Sequence, residues 1–90
     1  MAAYRILIKA SAGKELERLG TKLDRARIVE RIQALAEDPR PHGCEKLAGY
    51  PNRFRISQGN YRVVYLVDDQ RREITTFKVG DRKDVYRQVV

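Results

Sequence analysis

The sequence predicts an α+β fold: an N-terminal strand, a two-helix antiparallel hairpin, then a three-stranded antiparallel meander, with the helices packed on one sheet face. Three observations carry this. Apolar residues recur at helical spacing through the first half of the chain and at every second position from residue 53 onward. A stretch rich in Pro, Gly and Asn, residues 39–52 (PRPHGCEKLAGYPN), separates the two regimes. Ninety residues with 42% hydrophobic side chains make one domain, 1–90, with no room for a second core.

Each element has its own signal. Residues 4–9 alternate Tyr4, Ile6 and Ile8 against Arg5, Leu7 and Lys9, as a short strand does. Ser11 offers an N-cap, and Ala12, Leu16, Leu19 and Leu23 follow at helical spacing. Gly20 and Thr21 break that helix, and Asp24 can cap a second one with the stripe Ile28, Ile32, Leu35 and Ala36. Pro39 and Pro41 stop it. Residues 53–57, 61–67 and 73–79 then read as strands, joined by Gln58-Gly59-Asn60 and by residues 68–72. Residues 81–90 form a strongly charged tail, long enough for a short terminal helix.

Composition excludes several classes. A single cysteine rules out a disulfide framework or a Cys-cluster zinc site. No apolar run approaches the roughly 20 residues of a membrane span, and MAAYRILIKA lacks a signal-peptide layout, so a cytoplasmic protein is expected. The net charge of +7 favours a polyanionic partner. Most of the excess lies in residues 39–90, and between residues 39 and 65 only Glu45 opposes Arg40, Lys46, Arg53, Arg55 and Arg62.

A two-residue hairpin loop, Gly59-Asn60 or Gln58-Gly59, puts Arg55, Ser57 and Arg62 on one sheet face. Phe54, Ile56, Tyr61, Val63 and Tyr65 fall on the other, which the helices cover. In the first register Ser57 faces Arg62 and Arg55 faces Val64; in the second the two arginines face each other. Two close arginines repel. Either they splay into solvent or pair with Asp or Glu, or they hold an anion such as phosphate, whose oxygens match the guanidinium fork. Val64 and Leu66 lie further along this face, to be covered by the C-terminal segment or by a partner.

Other chemistries have little support. His42 is the single histidine, so a two-histidine ribonuclease arrangement is excluded, and its Pro/Gly loop points to solvent exposure. Cys44 lies two residues on, but adjacency makes no nucleophile–base pair. Asp68-Asp69 reads as a turn pair and not as a metal site, and no cofactor motif occurs. Tyr61 and Tyr65 read as core.

GNYRVVYLVDD (59–69) followed by FKVGDRKDVYR (77–87) resembles the RelE branch of the RelE/ParE superfamily of bacterial and archaeal toxins, and EKLAGYPNRFRI (45–56) fits it too. The resemblance spans essentially the whole chain. It implies a ribosome-dependent endoribonuclease of a type II toxin–antitoxin system, held inactive by a cognate antitoxin in a hetero-oligomer and cutting mRNA in the ribosomal A site. Carried over by motif, the catalytic residues are Arg62 in YRVVY, Arg82 in GDR, Tyr86 in DVY and Arg55 in FRI. Arg53, Ser57, Lys46, Lys83 and Arg87 are the expected contacts to RNA and ribosome, with Val64 and Leu66 facing the antitoxin. Two positions depart from the family: Ser57 stands where lysine is frequent, and Ala48 where KL-x-G sometimes holds a basic residue. Ser57 cannot do a lysine's electrostatic work, so the resemblance leaves the general base unassigned.

The chemistry implied is metal-free attack of the RNA 2′-hydroxyl on the adjacent phosphorus. Arg62 and Arg55 would clamp the phosphate, Arg82 would stabilise or protonate the leaving oxygen, and Tyr86 would stack on or orient the nucleotide. Two rivals share the scaffold: a gyrase-inhibiting toxin of ParE type, and a non-catalytic RNA- or antitoxin-binding module.

Overall fold

A computed structural model of the chain describes residues 3–89, with side chains through Val85. Eight elements follow in order: β1 (Arg5–Ile8), α1 (Ala10–Glu17), α2 (Lys22–Ala34), β2 (Glu45–Lys46), β3 (Arg53–Gln58), β4 (Tyr61–Asp68), β5 (Glu73–Asp81) and α3 (Arg82–Val89). The strands make one sheet in the order β1-β5-β4-β3-β2. β1 runs parallel to β5, and every other pairing is antiparallel. The expected meander is therefore the centre of a five-stranded sheet. β2 escapes a sequence reading because two residues carry no period.

Both helix starts differ from the sequence expectation. The Lys9 amide still donates to the Thr76 carbonyl at 2.8 Å, so the chain passes from β1 straight into α1 with Lys9, not Ser11, at the cap. In α2 the cap is Thr21. Its hydroxyl accepts the Asp24 amide at 3.1 Å while the Asp24 carboxylate accepts the Thr21 amide at 3.1 Å, a reciprocal capping box. Asp24 thus works from the third helical position. The break also ends the first apolar stripe early, leaving Leu23 58% exposed.

The core lies between α1, α2 and one sheet face. Ala12, Ile28, Ile32 and Leu35 meet Phe54, Ile56, Val63, Tyr65, Val67, Ile74 and Val79. Each large aliphatic side chain buried here stabilises by about 1.5–3 kcal/mol. Ile74 and Val79 are five residues apart, an odd spacing that a regular strand cannot bring to one face. A bulge reconciles them: Tyr65 pairs with Thr76 and Val64 with Lys78, leaving Phe77 as the extra residue. At the far end Asp69 ties three segments together. It accepts the Tyr4 hydroxyl at 2.6 Å and both Arg40 guanidinium nitrogens at 2.8 and 3.3 Å. Asp68 accepts the Arg71 amide at 3.0 Å, so the acidic pair serves the turn.

Candidate functional site

The β3–β4 hairpin sets the site. Gly59 takes φ +60°, as the first position of a tight two-residue turn demands, and Gln58 pairs with Tyr61. Ser57 then faces Arg62, Arg55 faces Val64, and Arg53 faces Leu66. The same register continues into β5, where Arg62 faces Gly80 and Leu66 faces Thr75. Arg53, Arg55, Ser57 and Arg62 thus share the face away from α1 and α2.

Arg62 is half-buried and donates to the carbonyls of Gly59 and Tyr61, each at 3.0 Å. These bonds draw its guanidinium toward the hairpin turn. Among the described residues no carboxylate pairs with it. Arg55 differs. Its guanidinium reaches the Glu45 carboxylate at 2.6 Å, across the β2–β3 pairing that sets the two residues opposite each other. The arginines therefore do not stand as two bare charges side by side: the offset register and Glu45 relieve the repulsion. Ser57 is exposed between them in sequence.

The start of α3 brings in the tail. The Arg82 amide donates to the Asn60 carbonyl at 3.0 Å, which docks the first residue of α3 against the hairpin turn. The Asp81 carboxylate accepts the Lys83 amide at 3.1 Å, a helix cap. Arg82 and Lys83 are exposed. Val85 is 1% exposed, and a Cβ added to Gly80 would lie 3.1 Å from its Cγ2. Gly80 faces Arg62, so α3 covers the opposite sheet face from α1 and α2 and sits next to the arginines. Val64 and Val85 are both buried yet lie outside the main core. Both are buried on the side of the sheet where α3 lies.

Several sequence expectations change. Lys46 pairs with Phe54, so it stands on the helix side of the sheet edge and not with the arginines. Of the two covers open to Val64, the C-terminal segment or an antitoxin, the structure has the first: Val64 is fully buried where α3 approaches β4 as well as β5, and so does not stand at an antitoxin surface. Leu66 remains half-buried. Tyr86 and Arg87 fall on α3, but their side chains lie outside the described residues.

Sequence reasoning missed the partners of the cations. Glu45 was visible as the lone acid of its segment, but its pairing with Arg55 needed β2. Lys78 pairs with Glu15 of α1, whose other oxygen accepts the Val79 amide at 3.2 Å where β1 has ended. No local pattern signals that contact.

The tyrosines of the meander are poor proton acceptors. Burial, then the hydrogen bond to Asp24, pushes the Tyr61 phenol above its ordinary range. Burial pushes Tyr65 up further, and its hydroxyl donates to the Pro39 carbonyl at 2.7 Å. Both sit on the helix side of the sheet. On the arginine face the Glu45 carboxylate is in contact with Arg55. No group of three or more His, Cys, Asp or Glu capable of holding a metal occurs among the described residues.

Comparison with known proteins agrees with this geometry. Residues 6–86 match the family described as the ParE toxin of the type II toxin–antitoxin system parDE. The toxin RelE of Mycobacterium tuberculosis is 27% identical over 84 residues, covering 93% of this chain and 87% of that protein. A mutant of the E. coli toxin RelE in the free state superposes with a TM-score of 0.78 at 29% identity, over 96% of this chain and 93% of that one. A structure of the intact E. coli RelBE toxin–antitoxin complex gives 0.75 at 30% identity, covering 88% of this chain and 96% of the matched one. With nearly its whole length inside the family match and RelE toxins as its solved neighbours, the chain belongs to the RelE/ParE superfamily of type II toxin–antitoxin toxins.

Proposed function

We propose that this toxin is a metal-independent, ribosome-dependent endoribonuclease that cuts mRNA in the A site and so stops translation. The observation carrying the proposal is the grouping of Arg62, Arg55 and the start of α3 with Arg82 on one sheet face. Attack by the 2′-hydroxyl forms a bond from the 2′-oxygen to phosphorus as the bond to the 5′-oxygen breaks, leaving a 2′,3′-cyclic phosphate and a 5′-hydroxyl, and it places extra negative charge on the phosphoryl oxygens in the transition state. Preorganised guanidinium groups stabilise that charge more than they stabilise the ground state. Arg62, already oriented by two carbonyls, holds one oxygen and Arg55 another. Arg82 meets the leaving 5′-oxygen, and Tyr86 orients the nucleotide.

Glu45 completes the set as proton acceptor. Its carboxylate is 66% exposed and tied to Arg55. A phosphate that takes over the Arg55 guanidinium weakens that tie and leaves the carboxylate beside the 2′-hydroxyl. The ribosome supplies what the chain lacks by bending the codon into an attacking geometry.

The solved RelE–RelB complexes support a cognate antitoxin for this chain as well. An acidic, amphipathic antitoxin segment would neutralise the arginine face and lie along Leu66. The toxin acts in the cytoplasm, where its substrate is; no helix among the described residues is long and apolar enough to cross a membrane.

A second reading is gyrase inhibition, favoured by the description of the matching family as a ParE toxin. One experiment separates the two: brief expression with mapping of mRNA 5′ ends, beside a supercoiling assay with purified gyrase. Codon-phased cuts in translated regions establish the nuclease. Intact transcripts with inhibited gyrase establish the alternative.

A further inference from the structure

The arginine face carries an aromatic cluster that the proposed cleavage does not use. The Arg53 guanidinium carbon lies 4.7 Å from the Tyr50 ring centroid and 4.6 Å from that of Phe77. To reach Phe77, Arg53 crosses the whole of β4, past its partner Leu66. Phe77 is available there because it is the bulge residue of β5. Tyr50 is set by a tight turn. Its carbonyl accepts the Arg53 amide at 3.2 Å, its amide donates to Leu47 at 3.3 Å, and Gly49 before it takes φ +80°.

Two features argue for a ligand over simple packing. Among the described residues no carboxylate pairs with Arg53, although Arg5, Arg40 and Arg55 all have one. A guanidinium held against rings keeps its N–H edge free for a base edge or a phosphate. Tyr50 is also 37% exposed, a large ring left in solvent beside a cation. Ring and guanidinium planes are what unstacked RNA bases bind.

Position supplies the rest. Arg53 is one pleat repeat, about 7 Å, from Arg55 on the same face. That step is close to the spacing of successive nucleotides in an extended single strand.

We propose that Tyr50, Arg53 and Phe77 form a base-stacking subsite for the nucleotide flanking the scissile phosphate, giving the toxin its own contribution to which message sequences bind well. The subsite rests on the nuclease reading above for its biological role, but binding tests it separately. The probe is a labelled hexaribonucleotide with 2′-O-methyl groups, which cannot be cleaved, titrated by fluorescence anisotropy. A second series carries one abasic residue at each position in turn.

Removing the ring from under a stacked base means that Tyr50→Ala should weaken binding about 10-fold. Tyr50→Phe, which keeps the ring, should bind like the parent. The parent should lose affinity at one abasic position, and Tyr50→Ala should be indifferent to that position. Equal binding by the parent and Tyr50→Ala overturns the subsite, as does an abasic penalty that persists in Tyr50→Ala. Loss of binding to an acidic peptide alone, with RNA binding intact, overturns it in favour of a protein contact. A parent that shows the abasic dependence but leaves translated messages uncut supports the subsite and refutes the nuclease.

Discussion

The side chain that anchors α3 can be removed with a calculable effect. Val85 is 1% exposed, and Gly80 beneath it has no side chain to move into a gap. Val85→Ala deletes two buried methyl groups, each stabilising by about 0.8 kcal/mol. A residual cavity over Gly80 raises the loss to about 2 kcal/mol. An eight-residue helix is not stable without its packing, so the loss falls on the opening of α3 and not on the whole fold. At about 1.4 kcal/mol per decade, opening should become roughly 30-fold more frequent. Native-state hydrogen exchange reads this directly: α3 amides should exchange about 30-fold faster while those of β4 and β5 hold their rates. Because Arg82 is docked by the same element, cleavage should fall with it. Equal slowing or quickening of exchange across sheet and helix would show that α3 is not a separate unit, and unchanged exchange would remove Val85 as its anchor.

Arg62→Ala and Arg82→Ala should each reduce codon-phased cleavage about 100-fold or more while thermal melts and antitoxin binding stay near the parent; full toxicity of either variant removes that residue from the site. Glu45→Gln keeps the size of the side chain and should lower single-turnover cleavage without weakening RNA binding, the signature of a lost proton acceptor; a fall in binding alone would make Glu45 a spacer for Arg55. Gly20→Ala forces an L-residue to φ +46° and drives its Cβ into the Tyr61 hydroxyl and Asp24. The melting temperature should drop by several degrees, and adding Tyr61→Phe should cost less than the two separate losses added, since the displaced hydroxyl is lost once. The acid limb should depend on Asp69, whose carboxyl is held below its usual range by hydrogen bonds from Arg40 and then Tyr4. A lowered folded pKa gives stability that is present above the unfolded value of about 3.9 and is lost as pH falls through the folded one. Asp69→Asn should therefore flatten the fall in melting temperature below about pH 4, and an unchanged acid limb would place the sensitivity elsewhere.

The parts of the fold that depend on one period were legible in the sequence. Ile28, Ile32 and Leu35 mark α2, and the alternation around Arg62 assigned both faces of the hairpin but left two registers open, of which the structure has the one that sets Ser57 against Arg62. The parts that depend on two distant segments were not. Asp24 read as the cap of α2 and Thr21 only as part of the break before it, whereas the two cap the helix together, each bonded to the other's amide. Phe77 sits where strict alternation would share a face with Val79; the odd spacing from Ile74 to Val79 was the clue to a bulge. The site followed the same division. Arg55 and Arg62 came from the pleat and Arg82 from the family motif. The Glu45 pairing needed a strand too short to have a pattern, and burial of Val64 needed α3 folded back onto the sheet.

The pairing of β1 with β5 has a consequence for how the chain is made. Arg5 lies beside Glu73 and Ile8 beside Thr76, so the strand synthesised first finds its place only when one synthesised much later appears. Until then α1 and α2 have no sheet to cover, and Ile6 of β1, which packs against the core in the folded chain, has no docking surface. A topology of this kind folds late and slowly, since a long loop must close before any contact repays it. The β3–β4 hairpin is local and forms without that wait. During synthesis the arginine face therefore comes into being before the scaffold that steadies it, and the emerging chain passes through an interval in which it is cationic, incompletely folded and close to ribosomal RNA.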